Sequence, residues 1–275
     1  LSQSGPAPGA ALLTGGGGRL GRELRLLLPH LVAPTRAELD VTDDASVARG
    51  FARLRPRLVV HCAAYTDVAG AEREREACWR VNVEGTRRLV AAARVAGARF
   101  LHVSTDYVFY GDRGGYREDD TPGPTRNYYA LTKLVAEEAA RGYDRALVVR
   151  TSFRPREWPY PKAFDDLFTS QDYVDVIAPL LAEVIERFAA GAVPYDTLHV
   201  ATERKSVLEL ARRRAPDVQR ASKREAGVAL PDDVSLDVSR WRRLREAWSG
   251  GAAAAHEDDG VAADDRPPAP GERGS

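Results

Sequence analysis

The run Thr14-Gly15-Gly16-Gly17-Gly18-Arg19-Leu20-Gly21 stands between an apolar strand candidate, Ala10–Thr14, and the start of an amphipathic helix candidate, Arg19–Leu28. Few folds need a strand, a glycine turn and a helix in immediate succession. Glycine allows the tight turn, lets the backbone approach a pyrophosphate without a Cβ clash, and lets helix and strand pack closely, while the helix N-terminus presents unpaired N–H groups. Gly15, Gly18 and Gly21 fall at a GxxGxxG spacing, so the turn predicts a dinucleotide site with Gly15, Gly18, Arg19, Leu20 and Gly21 against the phosphates. A glycine turn serving packing alone is the competing account.

Downstream, short apolar runs alternate with helical patterns. Strand candidates are Leu58–Ala64, Phe100–Thr105, Ala146–Thr151 and Leu198–Ala201, with a weaker one at Leu31–Thr35 that Pro34 interrupts. Helix candidates are Ala45–Leu54, Ala77–Ala96, Tyr128–Ala140 and Tyr173–Ala189, with apolar residues at three- and four-residue intervals. Such alternation predicts an α/β fold, a doubly wound parallel sheet with its ligand at the C-terminal strand ends near the switch point. The alternation breaks after Thr151. Residues 9–153 and 172–205 are therefore assigned to the sheet domain, 154–171 and 206–248 to a small C-terminal substrate lobe, and 249–275, rich in Ala, Gly, Pro and Asp, to a disordered tail.

The second strand is followed by Pro34-Thr35-Arg36-Ala37-Glu38-Leu39-Asp40-Val41-Thr42-Asp43. No carboxylate sits at the strand end to grip a ribose 2′-hydroxyl, whereas Arg36 suits a 2′-phosphate, so NADP(H) is favoured, with NAD(H) as the alternative cofactor. Asp40 and Asp43 are candidates for the adenosine end, and Asp43 is equally placed to cap the next helix. Tyr129 and Lys133 form Y-x-x-x-K in a helical run, on one face of the helix. Only four lysines stand among the 40 basic residues, which draws attention to this one. A phenol with an ordinary pKa of about 10 donates poorly at neutral pH, and the ammonium four residues on is expected to lower that value, making Tyr129 a general acid for a carbonyl under reduction. Thr105, ending the strand Phe100–Thr105, is expected to hold the carbonyl oxygen. Strand alternation turns Ser104 the other way, towards the cofactor or a structural hydrogen bond.

TGGGGRLG, AAYTDV, VNVEGT, STDYVF, Y-x-x-x-K and VVRTSF, in this order and at these separations, resemble the extended short-chain dehydrogenase/reductases, a Rossmann class, and within them the dTDP-4-dehydrorhamnose reductase family. The resemblance runs from about Ala10 to Thr202 and returns in Ser235–Trp241 (SLDVSRW). It implies reduction of a 4-keto group on a nucleotide sugar by NAD(P)H, with Thr105, Tyr129 and Lys133 as the catalytic triad. Further cofactor contacts are implied at Ala63, Ala64 and Tyr65 and at Asn82. The chain departs from the family at His61 (usually Asn), Ala69 (usually Asp) and Phe153 (usually Trp). Only 14 residues, Arg154–Leu167, separate RTSF from FTSQDYVDV, fewer than in the relatives. Arg154, Arg156, Trp158 and Tyr160 are candidates there for diphosphate and base contacts. His61 reads as a core histidine.

Balanced charge, 40 Lys+Arg against 40 Asp+Glu, gives no general attraction to nucleic acid or an anionic membrane. Cys62 and Cys78 form no zinc motif, a lone Glu23 supports no metal site, and no metal is expected. No run of 18 apolar residues and no basic, apolar leader is present, so a reduced cytoplasmic setting is expected. The sequence leaves a homodimer open. Two other functions compete with reduction: nucleotide-sugar epimerisation by the same triad, and a non-catalytic NADP-binding regulatory or interaction role. A 4,6-dehydratase would need a second carboxylate beside Asp106, and Tyr107 stands there instead.

Overall fold

A computed structural model describes residues 9–226 and 230–249; the tail assigned to 249–275 lies outside them except for Ser249. Strand β1 (Ala11–Thr14) leads through the glycine turn into α1 (Arg19–Leu27), β2 (Leu31–Val32), α2 (Asp44–Leu54) and β3 (Leu58–His61). Then come α3 (Val68–Arg73), α4 (Arg75–Trp79), a π-helical turn (Arg80–Glu84), α5 (Gly85–Ala96), β4 (Arg99–Thr105), α6 (Tyr128–Arg141) and β5 (Ala146–Thr151). Four short strands follow, β6 (Phe153–Arg154), β7 (Lys162–Phe164), β8 (Phe168–Thr169) and β9 (Asp172–Tyr173). The chain closes with α7 (Val174–Ala189), β10 (Thr197–His199), β11 (Lys205–Ser206), α8 (Val207–Arg212), β12 (Gln219–Ala221) and α9 (Ser239–Ser249).

Six strands form one parallel sheet in the order β10-β5-β4-β3-β1-β2. The order reverses between β1 and β3, and a crevice opens at such a switch point. Both faces are covered, which is why the strands read as nearly unbroken apolar runs. Leu13, Val60, Leu101 and Leu147 face one core, shared with α1 and α7, while Leu12, Val59, Phe100 and Val148 face the other, shared with α2 and α5. Each strand alternates between the two.

Three differences from the sequence expectations have clear causes. β2 stops at Val32, because Pro34 lacks the N–H a ladder requires. The helix expected over Ala77–Ala96 contains the π turn, whose extra residue turns Asn82 inward. Within 154–171, β7 pairs with β12 and β8 with β11, and Ala163, Leu167, Val207, Leu208, Ala211 and Val218 form a separate small core. Helix α9, grouped with this lobe from sequence, packs elsewhere. Its Trp241 and Leu244 belong to the main core beside β10.

A buried ion pair ties the sheet to its helices. Arg150 on β5 and Glu137 on α6 are both inaccessible to solvent; Arg150 Nη2 and Nε lie 2.9–3.2 Å from the Glu137 carboxylate. Arg150 Nη1 also donates to the Glu118 carbonyl at 3.3 Å and reaches His199 Nε2 at 3.2 Å, and the guanidinium lies over Phe109. Removing one partner strands the other charge in the core. Glu137→Ala is expected to cost about 3–5 kcal/mol, and Glu137→Leu with Arg150→Met together markedly less, as measured by urea unfolding.

Candidate active site

A crevice of about 1020 Å³ opens at the C-terminal ends of β1, β3, β4 and β5, and the glycine turn forms one wall. Gly15 has φ of +74°, and a Cβ there would lie 2.6 Å from the Ala63 nitrogen. At Gly21 a Cβ would meet the Gly15 carbonyl oxygen at 2.2 Å, so helix α1 can sit this close to the turn only with glycine at 21. A Cβ at Gly17 would meet nothing within 4 Å, since that position borders open space. The first helical amide to bond back is that of Arg22, to Gly18, which leaves the N–H groups of Arg19, Leu20 and Gly21 without an intrahelical partner. All of these residues line the crevice. Backbone donors, a positive dipole end and space for an anion coincide, so the turn fits a pyrophosphate.

Beyond the turn, Arg36 lines the same crevice with its side chain 75% exposed. Its Nε pairs with Asp40 Oδ2 at 3.1 Å, leaving both terminal nitrogens out of that bond. Burial works against the Asp40 charge, but hydrogen bonds from Thr42 and Arg36 outweigh it and hold the carboxyl below its usual range. Asp40 thus orders the arginine. Asp43 is a correction: it is not among the lining residues, and its side chain accepts from the Ala45 amide as the cap of α2.

Ala63, Ala64 and Tyr65 line the crevice after β3. Asn82 does not, a second correction. Its Oδ1 accepts from the Tyr65 amide at 2.7 Å, and its Nδ2 donates to Thr132 Oγ1 at 3.0 Å and the Tyr65 carbonyl at 3.2 Å. With its amide engaged by protein groups, Asn82 clamps the Ala63–Tyr65 segment against α6. The i+4 bond from Thr86 Oγ1 to the Asn82 carbonyl, 2.6 Å, steadies the π turn that carries it.

Ser104, Thr105, Tyr129 and Lys133 meet at the deep end. Lys133 is buried; its Nζ donates to the Val103 carbonyl at 2.8 Å and lies 3.3 Å from His102 Nε2. Burial pushes its pKa down to about 8, with Glu137 acting in the opposite direction. The expectation that this ammonium makes the phenol acidic is not met. Burial first, then the neighbouring Asp106 and Tyr107, push Tyr129 above its ordinary value, and a hydrogen bond with Thr105 offsets only part of that. Tyr129 is a firmly protonated phenol. Thr105 Oγ1 donates to Asp106 Oδ1 at 3.0 Å and accepts from the Tyr107 amide at 3.2 Å. Both Ser104 and Thr105 border the crevice, because it opens at the end of the strand.

Sequence reasoning passed over several wall residues, notably Tyr107, Ser152 and Phe153. Their signal was their place directly after β4 and β5. Past Phe153, Arg154 lies over the rings of Trp158 and Tyr160, whereas Arg156 is engaged by Glu23 at 2.7–2.8 Å; none of these four is among the lining residues. Seven buried side-chain polar atoms lack a partner among the described residues, and five sit around this end of the sheet: Ser104 Oγ, Asp106 Oδ2, Thr151 Oγ1, Arg154 Nε and Trp158 Nε1. That concentration marks a surface built to meet a polar ligand. No cluster of metal-ligating side chains, and no helix long and apolar enough to cross a membrane, occurs among the described residues.

Comparison with known proteins points the same way. The family model described as the RmlD substrate binding domain matches residues 10–154. A dTDP-4-dehydrorhamnose reductase of Streptomyces griseus is 45% identical over 149 residues, 52% of this chain and 49% of that protein. One from Aggregatibacter actinomycetemcomitans is 32% identical over 215 residues, 70% of this chain and 73% of that protein. The crystal structure of dTDP-4-dehydrorhamnose reductase from Bacillus anthracis in complex with NADP is similar with a TM-score of 0.75 and 27% identity, covering 86% of this chain and 91% of that one. The chain spans about half the length of several of the curated relatives it matches.

The buried ammonium sets a stability test. A lysine whose folded pKa lies near 8 binds fewer protons folded than unfolded between about pH 8 and 10.5, so its destabilising effect is full below that window and fades as pH rises through it. Lys133→Met is expected to stabilise the cofactor-free protein to urea by up to ~3 kcal/mol at neutral pH and by progressively less above it.

Proposed function

Because the chain belongs to the RmlD substrate binding domain family, we propose that it reduces the 4-keto group of a nucleotide sugar with NADP(H), as a dTDP-4-dehydrorhamnose reductase does. One observation carries this reading: Thr105, Tyr129 and Lys133 border a single crevice whose far wall is the glycine turn. The names of the relatives agree with it, and the Bacillus anthracis structure holds NADP. A cytoplasmic location belongs to the same reading.

The bound dihydronicotinamide would supply the hydride. The chain's own residues account for the proton and the placement. Tyr129, kept protonated by burial and by its acidic neighbour, holds a transferable proton at Oη for the carbonyl oxygen. Two of the three N–H directions of Lys133 are occupied by the Val103 carbonyl and His102, which leaves the third for a ribose hydroxyl in the crevice. Arg36 offers its terminal nitrogens to a 2′-phosphate, and the amides of Arg19, Leu20 and Gly21 receive the pyrophosphate.

Tyr129→Phe is expected to lower kcat for NADPH oxidation with a 4-keto sugar nucleotide by ~10²–10⁴-fold while NADPH still binds, as read by nicotinamide fluorescence. Turnover unchanged in that variant overturns the assignment. Arg36→Ala is expected to raise KM for NADPH by roughly tenfold and leave KM for NADH nearly unmoved, since one charge-assisted contact to the 2′-phosphate is lost.

A further inference from the structure

A second cavity, of about 590 Å³, lies at the opposite end of the sheet from the crevice, where β3, β4 and β5 begin. Arg57 immediately precedes β3, Arg99 is the first residue of β4, and Arg145 immediately precedes β5; all three line the cavity. The strands are parallel neighbours, with Leu58 beside Arg99 and Phe100 beside Ala146, so Arg99 and Arg145 stand side by side and Arg57 one step off the same row. Adjacent strands run about 4.8 Å apart, which crowds three cations that repel one another. Among the described residues none of the three has a carboxylate within ion-pair distance, and the lining carboxylate, Glu186, is taken by His30 at 3.1 Å. Elsewhere on the surface arginines find acids, as Arg204 does in Asp233 and Arg240 in Asp119.

The guanidinium groups are also held in place. Arg145 Nη1 donates to the Gly97 carbonyl at 2.6 Å, and Arg99 lies over the Phe188 ring, 5.4 Å from its centre. A Cβ at Gly191 would come within 2.9 Å of Arg99 Nη2, and one at Gly9 within 2.8 Å of Arg57 Nε, so both arginines occupy room that glycine leaves. Cations also settle beside the carbonyls at helix C-termini. That account covers Arg145, which bonds the residue after α5, but not Arg57 and Arg99, whose side chains make no hydrogen bond among the described residues.

We propose that this cavity binds a soluble anion carrying two or more adjacent phosphates, at a site separate from the crevice. A planar guanidinium presents paired N–H groups to phosphate, and a diphosphate or triphosphate group spreads its charge over the same few ångströms as the arginine row. A lone phosphate would leave part of that row unanswered. Seven residues of β4 separate Arg99 from Thr105, roughly 20 Å, so such an anion and a substrate in the crevice do not compete. The site stands apart from the reductase reading.

The test follows backbone amide and arginine Nε–Hε resonances by NMR while tripolyphosphate or a nucleoside triphosphate is added, with sodium chloride of equal ionic strength as the control. Saturable shifts at Gly97, Arg99 and Arg145 with Kd below about 1 mM are expected for at least one of the two, and the tighter one names the source of the phosphates. Shifts at Arg19, Leu20 and Gly21 report the glycine turn separately. Arg99→Gln is expected to weaken the first set at least about tenfold and to leave the second unchanged. Because Arg99 also packs on Phe188, Arg57→Gln, at an exposed position, is the second variant and carries the same expectation. Shifts confined to the glycine turn, shifts that chloride reproduces, or a Kd unmoved by both variants overturn the inference. None of these readouts needs turnover, so a failed reductase assay leaves them unchanged.

Discussion

Helix α6 is held against the sheet by a stripe of polar groups at four-residue intervals, and the site depends on that stripe. Tyr129, Lys133 and Glu137 lie one above another on a single face. Lys133 reaches the Val103 carbonyl of β4, and Glu137 pairs with Arg150 of β5. Two buried polar bonds to adjacent strands leave the helix no freedom to roll. The third member, one turn nearer the N-terminus, is thereby aimed at the point where β4 ends. That end is fixed independently: the Asn127 side chain caps the helix at the Ala130 amide, and the Tyr128 amide donates to Glu72. The position of the phenol follows from the anchors of α6 on β4, β5 and α3.

The same stripe makes the interior electrostatically costly, and the neighbouring groups respond by becoming neutral. Burial, with the Lys133 charge second, pushes His61 down to about 3 and His102 well below its ordinary range, so both imidazoles near the ammonium are uncharged. Neutral His61 is well satisfied, with Nδ1 2.7 Å from Thr14 Oγ1 and Nε2 3.0 Å from Thr86 Oγ1. It ties β1 and β3 to α5. Asp106 and Tyr129 shift upward and Lys133 downward, each by loss of water. These shifts share one cause, the removal of water from groups packed at the end of β4 and along α6.

The sheet was legible because parallel strands buried on both faces leave long apolar runs, and β5 was bounded without error at Ala146–Thr151. The glycine turn and Y-x-x-x-K were legible because their spacing is itself the geometry. What failed were inferences in which one residue's partner had to be known. Asn82 and Asp43 carry side chains suited to a ligand, and nothing local reveals that Tyr65, Thr132 and Ala45 occupy them first. The phenol's acidity was misjudged for the same reason: sequence spacing shows the ammonium, but not the burial or the Asp106 carboxyl that outweigh it. Helix α9 was grouped with its sequence neighbours, and its placement beside β10 depends on contacts with the distant α7, such as Arg245 with Glu183.

The short stretch after β5 is held in place by contacts far along the chain. Its β7 pairs with the distant β12 and its β8 with β11, and its Arg156 is gripped by Glu23 of α1 through two bonds of 2.7–2.8 Å. Arg214, just past α8, bonds both the Arg156 carbonyl and Asp175 of α7. The ion pairs are largely exposed and individually weak. Their effect is geometric. Helix α1 presents its first amides to the glycine turn and, one turn further on, a carboxylate to the lobe. A single rigid element therefore sets the distance between the place where a pyrophosphate fits and the stack of Arg154, Trp158 and Tyr160. In a chain with so few residues between β5 and α7, that shared strut does what a longer, self-supporting segment would otherwise have to do.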